Sequence, residues 1–241
     1  MKHRIKRFFN VLGLSVRRRR LDPDFQMLHS IAHAGYHVVL DVGANQGQFG
    51  ADLRSSGYQG RIISFEPVPG CYARLARKAA DDPAWTCRQL ALGAAQGQGL
   101  LHRASNEGAS SSFLPMTEHH HAAAPAVRML DTALVQVETL TGIWPSLDIA
   151  AGDRVLLKID TQGYEREVLA GTGEHLQRIA GVLCEMSTVE LYANSPLYFE
   201  IDGSLRQAGF TLTHLSPELY GPRGNGSRLA QFNALFEREF P

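Results

Sequence analysis

Lys158, Asp160 and Glu165 stand within eight residues of each other in the segment KIDTQGYE. The apolar run before them, DRVLLKID, predicts a buried strand, and residues two apart on a strand point to one face. A lysine and a carboxylate side by side at a strand end can deprotonate a hydroxyl. Asp160 would take or orient the proton, and Lys158 would stabilise the alkoxide or fix Asp160. An alcohol ionises far above pH 7, so a positioned base contributes roughly 10²–10⁴-fold, and alignment of the reacting atoms roughly 7–11 kcal/mol. Glu165, opening the next predicted helix, would share the base role or orient Lys158. The same Lys158–Asp160 pair would also serve as a buried ion pair that only anchors the strand end. Acceptor contacts are assigned to Gln162, to Ser111 in the GASSSF loop, and to Glu185 at the end of the predicted strand AGVLCEMS.

Asp160, Glu185 and Glu165 are also oxygen ligands of the kind magnesium or calcium prefers, so a divalent cation stands as an alternative. His119–His121 are metal ligands by type, but three adjacent histidines do not converge on one tetrahedral ion. A solvated loop is expected there, and no residue is assigned to a metal.

A second site signal is VVLDVGANQGQFG, residues 38–50. Gly43 and Gly47 let backbone approach a ligand closely, and the helix after them presents free N–H groups. A dinucleotide fingerprint needs G-x-G-x-x-G, but this turn reads G-A-N-Q-G. Asn45 would crowd a pyrophosphate, and Asp41 would place a carboxylate beside it. Glu66, closing the next predicted strand, can accept both hydroxyls of a ribose. An adenosine ligand with an amino-acid tail and no phosphate meets all three conditions, and S-adenosylmethionine is the obvious candidate. An NAD-type oxidoreductase and a non-catalytic Rossmann-like binding module are the other classes; the missing third glycine counts against the first, the intact KIDTQGYE against the second.

Strands are expected in HVVLDVG, GRIISFEP, WTCRQLALG, DRVLLKID and AGVLCEMS, with helices between them. GQGLLHRAS offers an added strand, and residues 106–127 read as a loop or lid. Such alternation implies an α/β fold with a parallel sheet covered on both faces, whose ligands sit beyond the carboxyl ends of the strands. Asp41, Glu66, Leu92, Asp160 and Glu185 all fall at those ends.

The 241 residues suit one sizeable domain, residues 23–241, preceded by a basic arm. Eight of the 24 Lys/Arg lie in residues 1–20 with no acid, which leaves sixteen bases against 24 acids in the body. An acidic body argues against nucleic acid as a partner. Ile5, Phe8, Phe9, Leu12 and Val16 share one helical face, so residues 1–22 form an amphipathic arm suited to an anionic membrane surface; a frayed tail or a helix packed on the domain are the alternatives. Three widely spaced cysteines, no transmembrane run and no cleavage site place the chain in the cytoplasm, with the arm at the inner face of the membrane. Nothing in the sequence fixes an oligomeric state.

The ordered segments LDVGANQGQF, ISFEPVPGCYARL, LALG, NEGASSSF, LLKIDTQGYEREVLAG and CEMSTVELY make the chain resemble the FkbM-type S-adenosylmethionine-dependent methyltransferases over about residues 37–237. The resemblance implies a Rossmann-like class I methyltransferase fold, a mostly parallel seven-stranded sheet with an antiparallel last strand. It implies that Asp41, Gly43, Asn45 and Glu66 bind the cofactor, with the Ala91–Leu92 backbone near the adenine. It also implies O-methylation, with a hydroxyl of a sugar, glycan or glycolipid precursor as acceptor, or one of a polyketide or other small molecule. The chain departs from the family at Leu140-Thr141, where Leu-Asp is frequent, and in its EHHH segment.

Overall fold

The computed structural model describes residues 22–238; the basic arm lies outside them, and with it the expected amphipathic face. The chain runs α1 (Pro23–His33), β1 (Val38–Val42), α2 (Gln48–Ser55), β2 (Arg61–Phe65), α3 (Pro69–Ala79) and β3 (Trp85–Arg88). It continues through β4 (Ala91–Leu92), β5 (Gly97–Ala104), α4 (Glu118–Ala123), β6 (Met129–Glu138), α5 (Leu140–Ile143), β7 (Val155–Ile159) and α6 (Glu165–Thr172). The last elements are β8 (Ile179–Ser187), α7 (Tyr198–Gln207), β9 (Thr211–Arg223) and β10 (Gly226–Glu237). Local chemistry sets the starts: Asp22 accepts from the Phe25 N–H at 3.1 Å and Pro23 opens α1.

Seven strands form one sheet in the order β3-β2-β1-β7-β8-β10-β9. The first five are parallel, and β10 pairs antiparallel with both β8 and β9. This is the expected α/β architecture. Strands β1, β7 and β8 are buried on both faces, which explains their unbroken apolar runs. Their side chains alternate. Val38, Leu40, Val42, Val155, Leu157 and Ile159 pack on α5–α7, while Val39, Leu156 and Leu183 pack on α1–α3. Asp41 and Lys158 share the second face, and the register sets Asp41 directly between Ser64 and Lys158.

The expected third strand divides. Trp85–Arg88 stays in the main sheet, whereas Ala91–Leu92 crosses to a second, three-stranded sheet of order β4-β6-β5. Pro-free β6 carries only a weak alternation, with Val135 and Val137 buried among exposed neighbours; its role as the centre of this sheet was not foreseen. The sheet packs Ala91, Leu101, Val135 and Val137 on Val68 and Cys71. The 106–127 stretch is also more ordered than a loop. It holds α4, and His120 there is 2% exposed, packed edge-on against Tyr192 at 5.2 Å. At Thr141 the missing acid is replaced by a hydroxyl that donates to the Thr172 carbonyl at 2.9 Å, a structural tie between α5 and α6.

Candidate active site

A cavity of about 450 Å³ opens beyond the carboxyl ends of β1, β2 and β7, where the strand order reverses. Gly43, Asn45, Glu66, Ala91, Leu92, Ser111, Lys158, Asp160 and Gln162 all line it. Four other candidates do not: Asp41, Gly47, Glu165 and Glu185.

Asp41 is fully buried behind the wall. Its carboxylate takes Lys158 Nζ at 3.1 Å and the Ser64 hydroxyl at 3.0 Å, and Trp85 Nε1 in turn donates to Ser64 Oγ at 3.0 Å. Lys158 Nζ also donates to the Gly43 carbonyl at 2.9 Å and sits 3.6 Å from Asp160 Oδ2. Burial alone would drive the proton off Lys158, but the charges of Asp41 and Asp160 outweigh it and keep the ammonium charged. Asp41 therefore acts on the turn through Lys158. Gly47 caps α2 at φ +76°, and a Cβ there would meet Leu75 and Trp85, so it serves helix packing. Gly43, also at φ +76°, lies so close to β7 that a Cβ would fall 1.9 Å from the Asp160 carbonyl. That approach sets Asp160 beside the turn.

Glu66 is clamped at both oxygens. Asn45 N donates to Oε2 at 2.9 Å and Val68 N to Oε1 at 2.8 Å. Burial pushes its carboxyl up to about 7 against those two donors. The ionised carboxylate accepts from ribose hydroxyls at both oxygens and more strongly than the neutral acid, which gives up one acceptor, so ligand binding favours the ionised form. Adenosylhomocysteine affinity is expected to rise about tenfold between pH 6 and pH 8 and then level off, as one group near 7 ionises. Calorimetry across that range checks it, and Glu66→Gln should flatten the curve. The raised carboxyl acts oppositely on the empty fold, whose stability from this group is full below about 4.5 and lost as pH rises through 7.

Beyond β7 the chain turns through Gln162, a non-glycine residue at φ +56°. Glu165 holds that turn: Oε1 accepts from Thr161 N at 3.0 Å, Gly163 N at 3.0 Å and Thr161 Oγ1 at 3.1 Å. Burial raises its carboxyl to about 7. It cannot reach an acceptor or Lys158 and is a loop clamp, which corrects the base-sharing role. Glu185 is buried too, and its Oε2 accepts from Gln162 Nε2 at 2.5 Å and Gln231 Nε2 at 2.7 Å. Burial and the neighbouring Asp160 charge hold Glu185 well above the ordinary carboxyl range. It lies outside the cavity lining, not in the wall where the expected contact with acceptor hydroxyls would place it. Ser111 faces the cavity while its hydroxyl accepts from Ala104 N at 3.1 Å.

The far end of the cavity was not legible in the sequence. Asp24, Met27 and Leu28 of α1 meet Glu218 of β9 and Asn233 of β10 there. These residues belong to no motif, and only the fold of β9 and β10 back over α1 brings them together.

The lining chemistry tests the ligand. Lys158 is the one lysine or arginine among the described lining residues, and it is already neutralised by two acids. A pyrophosphate would find no free cation, whereas a sulfonium with an ammonium tail meets carboxylates. Asn45 Oδ1, buried without a partner, offers a further acceptor. The residues present fit S-adenosylmethionine. Among the described residues no group of three or more His, Cys, Asp or Glu is arranged to hold a metal ion.

A family model described as the methyltransferase FkbM domain matches residues 41–212. A curated relative, the methyltransferase sdnD of Sordaria araneosa, is 28% identical over 197 residues, covering 73% of this chain and 74% of that protein. A solved structure from Thermobifida fusca, described as a candidate methyltransferase, aligns with a TM-score of 0.51 at 9% identity. It covers 89% of this chain and 78% of that one, and shares the fold. The precorrin-6y C5,15-methyltransferase of Geobacter metallireducens aligns over 89% of this chain and 87% of its own, with a TM-score of 0.47 at 12% identity.

Proposed function

The chain belongs to the FkbM methyltransferase family, and from that premise we propose that it O-methylates a hydroxyl of a sugar, glycan or glycolipid precursor at the cytoplasmic face of a membrane. It is an S-adenosylmethionine-dependent methyltransferase; the oxygen acceptor and the place are our reading. One observation carries it: Asp160 stands in the cavity wall next to the glycine turn, with Lys158 near one oxygen and Gln162 bound to the other.

Bound S-adenosylmethionine supplies a methyl group made electrophilic by its sulfonium. The chain's own residues do the rest. Glu66 and the Asn45–Gly43 turn hold the adenosine end, and the Ala91–Leu92 wall lies along it. Asp160 accepts the proton of the acceptor hydroxyl as the oxygen develops charge, and Lys158 moderates that charge from beneath. Hydrophobic walls from Phe49, Phe65 and Leu183 exclude water from the line of transfer. Asp24, Glu218 and Asn233 offer hydrogen-bond partners at the far end, which favours a polyhydroxyl acceptor over an apolar one.

Incubating the protein with labelled S-adenosylmethionine and fractionated cell-envelope precursors, followed by mass spectrometry, tests the reading. A methyl ether on a sugar hydroxyl is the expected product; label confined to nitrogen, to carbon or to a polyketide would sink it. The membrane part stands on the basic, amphipathic sequence of residues 1–20. Among the described residues no helix is long and apolar enough to cross a membrane. Deleting residues 1–20 is expected to abolish co-flotation with liposomes containing anionic lipid, while adenosylhomocysteine affinity stays within about twofold. Each basic residue near such a surface contributes about 1 kcal/mol, so eight of them decide the outcome.

A further inference from the structure

From Asp160 a polar chain runs through the half-buried Gln162 to the buried Tyr192 and Glu185, and the proposed chemistry leaves those two ends unused. The Gln162 carboxamide donates from Nε2 to Asp160 Oδ1 at 2.9 Å and to Glu185 Oε2 at 2.5 Å. Its oxygen, Oε1, accepts from the Tyr192 hydroxyl at 2.6 Å. The two ends of a carboxamide have nearly the same shape, so its partners decide which end points where. Turned around, Oε1 would face the oxygens of two carboxyl groups and the amide nitrogen would meet the tyrosine. Tyr192 is 1% exposed, and its other acceptor, the Ser110 carbonyl, is farther at 3.2 Å. The hydroxyl therefore selects the orientation in which nitrogen meets Asp160.

Two further features fix this arrangement. Gln162 sits in the left-handed backbone region, which a residue with a Cβ holds only when its surroundings insist. Ser112 Oγ supplies part of that insistence, donating to the Gln162 carbonyl at 2.7 Å. Tyr192 is in turn backed by His120 of α4, whose ring burial keeps neutral. The EHHH segment, which matched no motif, thus packs behind the tyrosine.

We infer that Tyr192 is a positioning residue for Asp160: its hydroxyl turns the Gln162 carboxamide nitrogen-first against the proton-accepting carboxylate, with His120 packed behind it. Its place in the reaction rests on Asp160 being the base; the contact itself does not.

The test uses full-length protein labelled with ¹⁵N in its glutamine carboxamides, the Gln162 pair being assigned by its disappearance in Gln162→Met. In the wild type the two Gln162 protons are expected to exchange with water at least tenfold more slowly than those of exposed glutamines. In Tyr192→Phe the pair should shift and lose that protection, and methyl incorporation into the accepted envelope fraction should fall about tenfold. Adenosylhomocysteine affinity should stay within about twofold, a split that general loss of structure would not give. Unchanged Gln162 signals in folded Tyr192→Phe, or transfer at full rate, overturn the proposal. Should that variant not fold, the wild-type rate decides alone: Gln162 protons exchanging as fast as exposed ones overturn it. Failure of the base reading shows separately, as methyl transfer retained by Asp160→Asn.

Discussion

Replacing Asp160 by Asn is expected to lower methyl transfer by about 10²–10⁴-fold, the range a positioned base contributes, and to leave adenosylhomocysteine affinity within about threefold. The substitution keeps the shape of the side chain and removes its charge and basicity. Lys158 retains its 3.1 Å partner in Asp41 and its bond to the Gly43 carbonyl, so the glycine turn keeps its support. Glu185 loses an anionic neighbour but remains bound by Gln162 and Gln231. The cofactor end should therefore survive while the acceptor hydroxyl has no group to take its proton. Rate measurements paired with calorimetry separate the two effects. Unchanged transfer would remove Asp160 from the mechanism and leave it as the anchor of a strand end.

Glu66→Ala should weaken adenosylhomocysteine binding by about 30- to 300-fold. Two losses add up. The ribose hydroxyls lose a carboxylate that accepts both, and hydrogen bonds to a charged group contribute about 1.5–3 kcal/mol. The Asn45 and Val68 N–H groups, now bonded to the two Glu66 oxygens, also lose their partner at the cavity wall. Freed from Glu66, Asn45 keeps its left-handed conformation only through the turn's remaining bonds. Glu66→Gln, which keeps one acceptor oxygen, should fall between the two. Affinity within threefold of wild type for Glu66→Ala would show that adenosine lies elsewhere in the cavity.

These two residues were legible before any fold was known, because each closes a buried strand next to a turn. Parallel strands buried on both faces read as apolar runs, and a charged residue at the end of such a run stands out. The same rule misplaced Asp41 and Glu185, and position at the start of the next helix misplaced Glu165. All three are carboxylates in the right segments, yet each is turned into the protein: Asp41 toward Lys158 and Ser64, Glu165 onto its own loop, Glu185 onto two glutamines. Strand-end position places a residue in the right layer. Whether its side chain meets solvent or another side chain depends on neighbours that are distant in sequence.

Gln231 and Tyr192 illustrate the limit. Gln231 belongs to no recognisable motif, Tyr192 only closes the CEMSTVELY segment with no role marked by it, and they reach Glu185 and Gln162 from 46 and 30 positions away. The acids at the far end of the cavity come together only because β9 and β10 fold back over α1. The split of the expected third strand is a similar case. Nothing local distinguishes Trp85–Arg88 from Ala91–Leu92, and pairing with β2 on one side and β6 on the other divides them.

By itself the sequence determined the layered α/β fold, the glycine turn, its poor match to a pyrophosphate and the family, because periodicity, turn chemistry and charge at strand ends are local properties. The tertiary structure decided which carboxylates face the cavity and which one is left to act. That choice is made by burial and hydrogen bonds, which turn Asp41, Glu165 and Glu185 away from the cavity and leave Glu66 and Asp160 in its wall.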